Sequence, residues 1–165
     1  MKKLSLILII TALVFSTFPI SASAEKNGSI NLKSIAEIEV EAFNEEGMKI
    51  TKRVPATKVI PGTEVVFTTL YTNIGKEDAE KAEIINPVPE HMIFKDGSVT
   101  GDGANISFSV DNGKSYDLPK NLMITTKEGE KVGASPEDYT HIKWTFIKPI
   151  VPSAKGDVSF RAILK

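Results

Sequence analysis

His91 and His141 are the only imidazoles in a chain of 165 residues that has no cysteine. A metal centre needs at least two or three clustered His, Cys or carboxylate ligands. These two lie in different segments: His91 follows Pro89-Glu90 in a turn, and His141 opens an alternating run. They are expected as ordinary surface histidines. Asp96, Asp102 and Asp111 recur beside glycines and are the weak calcium candidates, because loop carboxylates suit that hard cation. Their spacing does not match an EF-hand loop, and Asp-Gly and Asp-Asn-Gly are common turn sequences in their own right. Ser98, Ser107, Ser109, Ser115 and Ser159 lie on strands or turns, in no signature that pairs a nucleophile with a base. Glu77, Asp78 and Glu80 form a charge cluster with Lys76 and Lys81, as in a solvated loop. No nucleophile elbow, P-loop or HExxH is present, so no catalytic residue and no cofactor are assigned. Trp144, between Ile142 and Phe146, reads as core rather than as a binding platform. Tyr71, Tyr116 and Tyr139 are dispersed and form no ladder for sugars or bases.

Composition narrows the classes further. The net charge is −1, with 20 basic against 21 acidic side chains, so the basic excess typical of nucleic-acid binding is missing. Without cysteine there is no disulfide, thiol nucleophile, Fe–S cluster or Cys-based zinc site. The fold must be held by packing alone, which a chain of this length can do.

Residues 1–24 read as an address. Lys2-Lys3 is a basic start, Leu4–Phe15 is apolar apart from Ser5 and Thr11, and Ala22-Ser23-Ala24 supplies small residues for a signal peptidase. The apolar run is shorter than the roughly 20 residues that span a bilayer. Cleavage between Ala24 and Glu25 is expected, with export to the periplasm, medium or cell surface of a bacterium. The segment carries two lysines and no acid, so 18 basic and 21 acidic residues remain, a net charge of −3. No later stretch has the length or apolarity of a membrane span.

The elements that must position these residues read as strands. Residues 25–34 are polar and are expected as a flexible leader. Ile38, Val40 and Ala42 alternate with Glu37, Glu39 and Glu41, the period-two signature of a half-buried strand. Asn44–Gly47 turns the chain and Met48–Val54 returns it, giving an N-terminal hairpin over 35–54. The glutamate face is expected to discourage random edge pairing. Pro61-Gly62 breaks the chain before Glu64–Asn73, whose two faces are both apolar enough for a central strand. Ala82–Asn86, Met92–Phe94, Ile106–Val110, Leu122–Thr125, His141–Ile147 and Asp157–Leu164 follow as short strands. Lys76–Lys81 is a helical turn or a loop, Glu128–Asp138 is a loop, and Asp111-Asn112-Gly113 is a hairpin turn leading to a return strand near Tyr116–Leu118. About eight short strands with regular turn signals predict an all-β, immunoglobulin-like antiparallel β-sandwich over 35–165, with the hairpin added to it.

From about Ala56 to Lys165 the chain resembles domain of unknown function eleven, the conserved repeat domain of prokaryotic surface and exported proteins. The resemblance rests on Pro61-Gly62-Thr63-Glu64-Val65-Val66-Phe67-Thr68, Asn73-Ile74-Gly75, Asn86-Pro87-Val88-Pro89, the Met92–Phe94 piece, the tryptophan strand at His141–Phe146 and the closing strand at Val158–Leu164. Asn86 stands where many members carry Asp, and Val88 where they carry Leu. Asn73 and Gly75 are expected to take left-handed conformations at a strand end. Together the residues and the resemblance lead to the expectation of a non-catalytic structural or interaction module of the cell envelope. It would bind a protein partner through sheet edges or end loops. The alternative is an exported protein that binds calcium or a small ligand at its Gly/Asp-rich turns.

Overall fold

The computed structural model describes residues 29–165. Residues 1–24, expected as an address, and the expected cleavage junction at Ala24–Glu25 lie outside the described residues. Ten strands and two short 3-10 turns account for the regular structure, and every strand pairing is antiparallel. The strands are β1 (Ile30–Phe43), β2 (Lys49–Pro55), β3 (Glu64–Asn73), β4 (Glu83–Pro87), β5 (Met92–Phe94), β6 (Ala104–Ser109), β7 (Met123–Thr125), β8 (Lys131–Gly133), β9 (His141–Phe146) and β10 (Lys155–Leu164). They form a five-stranded sheet in the order β2-β1-β3-β10-β5, a three-stranded sheet β4-β9-β6 and the small pair β7-β8. No described helix is long and apolar enough to cross a membrane.

The core lies where the two larger sheets meet. Val158, Phe160 and Ala162 of β10 and Phe94 of β5 join Ile84 of β4, Phe108 of β6, and Ile142 and Trp144 of β9 in one buried cluster. Trp144 is 0% exposed, as its place on an apolar strand face predicts. Its Nε1 donates to the Thr100 carbonyl at 2.9 Å, so burial of the indole leaves no orphaned donor. That approach explains Gly101, where a Cβ would lie 2.5 Å from the indole Cδ1. Phe67 stacks on Phe160 with ring centroids 5.1 Å apart, and Phe108 stacks on Tyr139 at 4.7 Å.

Several expectations need correction. Residues 30–34, expected within a leader, are the first part of β1 and pair with Thr69–Asn73 of β3. Asn31, Lys33 and Ser34 have little intrinsic strand preference, and the pairing with β3 overrides it. The hairpin is therefore continuous with the main sheet rather than appended to it. The expected loop at 128–138 holds β8 and a 3-10 turn over Pro136–Asp138. Lys76–Lys81 is not a helical turn; it is a loop pinned by a bridge between Ala79 and Ile150. The chain after Asp111-Asn112-Gly113 makes only a single bridge, Phe108 to Asp117, and no return strand. Asn73 and Gly75 do not adopt positive φ. Asn73 acts through its buried side chain instead: Nδ2 donates to the carbonyls of Glu77 at 2.8 Å and Ile150 at 2.7 Å, and Oδ1 accepts from the Gly75 N–H at 2.9 Å.

Candidate interaction surface

The two large sheets are unequal, and the surplus lies on one side. β1 changes partner along its length. Ile30–Glu37 pair with β3, whereas Glu37–Phe43 pair with β2. From Ile38 onward β1 and β2 form an arm of six paired rows, roughly 20 Å long at 3.3 Å per residue. Along one arm face Ile38 stands opposite Val54, Val40 opposite Lys52 and Ala42 opposite Ile50. At the tip, Asn44 Oδ1 accepts from the N–H groups of Glu46 (3.1 Å) and Met48 (2.8 Å), closing the turn before Gly47 at φ 76°. Phe43 and Met48 flank that turn and are 75% and 58% exposed.

The other face of the sheet carries a transverse row of charges. Arg161 on β10 stands opposite Val66 on β3. Its guanidinium crosses β3 to reach β1: Nη2 donates to Glu39 Oε1 at 2.8 Å and Nη1 to Glu39 Oε2 at 3.0 Å. Nη1 also donates to Glu64 Oε1 at 2.8 Å. Lys95 donates to Glu64 Oε2 at 2.5 Å, and Arg53 Nε donates to Glu39 Oε1 at 3.2 Å. These contacts link Lys95, Glu64, Arg161, Glu39 and Arg53 in one chain of ion pairs; in strand order Lys95 and Arg161 are followed by Glu64 and Glu39 and then by Arg53. The hydrogen bonds from Arg161 hold the Glu39 carboxyl down at about 2, with Arg53 adding to the effect. Lys95 and then Arg161 lower Glu64 in the same way. Beneath this row Val66 is only 1% exposed, although it does not face the other sheet. Both faces of β3 are thus buried over its first half, while Leu70 further along the outer face is exposed.

Between the sheets, on the side of β1 and β4, runs a groove of about 360 Å³ lined by Ser34, Ala36, Phe67, Asn86, Pro87 and Pro89 among others. A polar chain spans it. Asn86 Nδ2 donates to Thr69 Oγ1 at 2.8 Å, and Thr69 shares a 3.0 Å hydrogen bond with Ser34.

The free edges differ. β4 is five residues long and ends in Pro87, which has no N–H to offer. β5 has three residues. β6, the other edge of the small sheet, has six residues and is bridged at Phe108 to Asp117. β2 has seven, ends like β4 in a proline, Pro55, and stands at the end of its sheet with no partner on its outer side among the described residues. The bonds from Asn44 N–H to the Met48 carbonyl and from Ala56 N–H to the Ala36 carbonyl set the alternation along it. Ile50, Lys52 and Val54 turn their main-chain groups toward β1, while Lys49, Thr51 and Arg53 turn theirs outward. Glu39 and Glu41, expected to guard the strand edge, instead pair with Arg53 and Lys49 of β2.

The residues singled out for metal chemistry are placed as follows. Asp96 Oδ1 accepts from the Gly97 N–H at 3.0 Å in its turn. Asp102 lies at the mouth of a cavity with Tyr71, Lys155 and Asp157. Asp111 is committed to its own loop, accepting from the hydroxyls of Ser109 (2.7 Å) and Ser115 (2.6 Å) and from the N–H groups of Lys114 and Ser115. The Ser115 contacts above all hold its carboxyl far below the ordinary carboxylate range. Among the described residues no three His, Asp or Glu side chains are placed to hold a metal ion. His91 and His141, distant in sequence, line one cavity of about 470 Å³ together with Asn112, Tyr139 and Lys165. His91 adopts φ 65°, and His141 Nδ1 is buried without a hydrogen-bond partner. Sequence spacing carries no sign of that meeting, because two sheet-end segments bring it about. No protein-family model, curated protein or solved structure matches the chain.

Proposed function

We propose that the chain is an exported, non-catalytic protein-interaction module of the bacterial cell envelope, with an immunoglobulin-like sandwich as its body. An extended segment of a partner adds as a further strand to a free sheet edge. The observation that carries this reading is the inequality of the sheets. Five strands form one sheet and three the other, and the surplus is an arm whose outer strand turns the main-chain groups of Lys49, Thr51 and Arg53 outward. Strand addition uses such an edge, with main-chain hydrogen bonds supplying affinity and alternating side chains supplying specificity. The address-like residues 1–24 support export, and the resemblance of residues 56–165 to the conserved repeat domain supports an envelope role. The calcium alternative draws no comparable support, since Asp111 is already saturated by its own loop.

Site-specific photocrosslinking in the native envelope tests this function. A photoreactive residue at Thr51, on the β2 edge, is expected to give a discrete protein adduct. One at Asn105, on β6 of the other sheet, is expected to give none. Loss of the Thr51 adduct, or equal adducts from both positions, overturns the reading. Mass spectrometry of the exported chain is expected to find Glu25 at its start; an uncleaved chain retained in the cytoplasm overturns the export reading.

A further inference from the structure

We infer that the segment added at β2 is an acidic strand from a different protein, not a second copy of this chain. This inference rests on the strand-addition reading above and names the partner's chemistry.

The chain of ion pairs on the outer face links five side chains and stops at Arg53, a cation on the last strand. Beyond Arg53 there is no further strand among the described residues. The position across the edge from Arg53 belongs to an added strand, and a carboxylate there faces a cation. Lys49 repeats the situation one row nearer the tip: it pairs with Glu41 on its β1 side and has an empty position on the other. Lys52 lies on the opposite face, opposite Val40 and between Ile50 and Val54, and makes no ion pair among the described residues. Each of the three β2 cations thus has room for an acid across the edge.

The same cations disfavour self-pairing. Two antiparallel copies of β2 that keep their apolar faces on one side have three registers of greatest overlap. These set Lys52 against Lys52, Lys49 against Arg53, or Arg53 against Arg53. Like charges directly opposite one another destabilise a strand pair. An antiparallel partner that satisfies β2 reads, in its own direction, apolar, acid, acid, polar, apolar, acid, facing Val54, Arg53, Lys52, Thr51, Ile50 and Lys49 in turn.

The test uses the full chain and three synthetic peptides with the cores Val-Glu-Glu-Thr-Val-Glu, its Gln-for-Glu counterpart and its Lys-for-Glu counterpart. Amide hydrogen exchange locates the contact and titration measures affinity. In the free protein the amides of Lys49, Thr51 and Arg53 are expected to exchange fast, and those of Ile50, Lys52 and Val54 slowly. The Glu peptide is expected to slow the first three, with its affinity falling as salt rises. The Gln peptide is expected to bind about tenfold more weakly, and the Lys peptide not measurably. Lys52→Glu, which breaks no ion pair within the chain, is expected to shift preference to a peptide carrying Lys at the facing position. Equal protection by all three peptides leaves strand addition standing and overturns the acidic partner. If no peptide protects Lys49, Thr51 and Arg53, both readings fall.

Discussion

The body and the arm of this molecule are made of the same antiparallel pairing, yet they are held by different forces. In the body, Trp144, Phe160, Ile142 and Val158 are essentially solvent-free, and two sheets share one cluster of side chains. In the arm, Phe43 and Met48 stay largely exposed and Ile50 partly so, and cohesion comes from main-chain hydrogen bonds and cross-strand ion pairs. Burial of a large apolar side chain stabilises by about 1.5–3 kcal/mol, whereas an exposed ion pair contributes at most about 1 kcal/mol. The body therefore sets the stability of the fold. The arm is free to carry residues chosen for something else.

Removing a body aromatic should give the largest effect. Phe160→Ala is expected to cost about 3–5 kcal/mol through the lost contacts and the cavity left behind, read by urea unfolding. A cost below 1 kcal/mol would mean that the cluster does not hold the sheets together. Asn73→Ala comes next, at about 1–3 kcal/mol, because it strips the Glu77 and Ile150 carbonyls of their buried donor. Asn73→Asp should not rescue it, since a carboxylate cannot donate to either carbonyl.

The boundary between body and arm is expected to respond to pH. Glu39 is held at about 2 in the folded chain against an ordinary 4.5, chiefly by Arg161. A depressed carboxyl contributes stability that is complete above its unfolded value and is lost as pH falls through its folded value. The melting midpoint is expected to decline as pH drops from about 4.5 toward about 2, with a shallower decline in Arg161→Gln. An unchanged slope in that variant would remove the charge row from the account. Phe43→Ala, at the arm tip, should change stability by no more than about 0.5 kcal/mol. A larger loss would mean that the arm is part of the core after all.

The body was the legible part. Runs such as Ile142-Lys143-Trp144-Thr145-Phe146 alternate because one sheet face is buried and the other is not. Leu122–Thr125 was visible, but β8 was not, because its three exposed residues pair only with β7 and bury nothing that would mark a period. The start of β1 was missed because Asn31, Lys33 and Ser34 are set by β3 rather than by their own preference. The interaction surface was legible only as a hairpin. Strand order makes β2 an edge, and order is a property of the whole sheet. The Glu39–Arg161 contact joins residues 122 positions apart, so no local pattern announces it.

The position of β10 bears on how the chain comes to be folded. This strand, residues 155–164, lies between β3 and β5. A chain emerging from the ribosome can form the β1–β2 hairpin and lay β3 beside β1 early. The five-stranded sheet nonetheless lacks its inner member, and Trp144 lacks Phe160 beneath it, until residue 160 has emerged. Sheets closed by such distant pairings form slowly. Formation of the large sheet therefore waits on residues 155–164, whatever has formed before them.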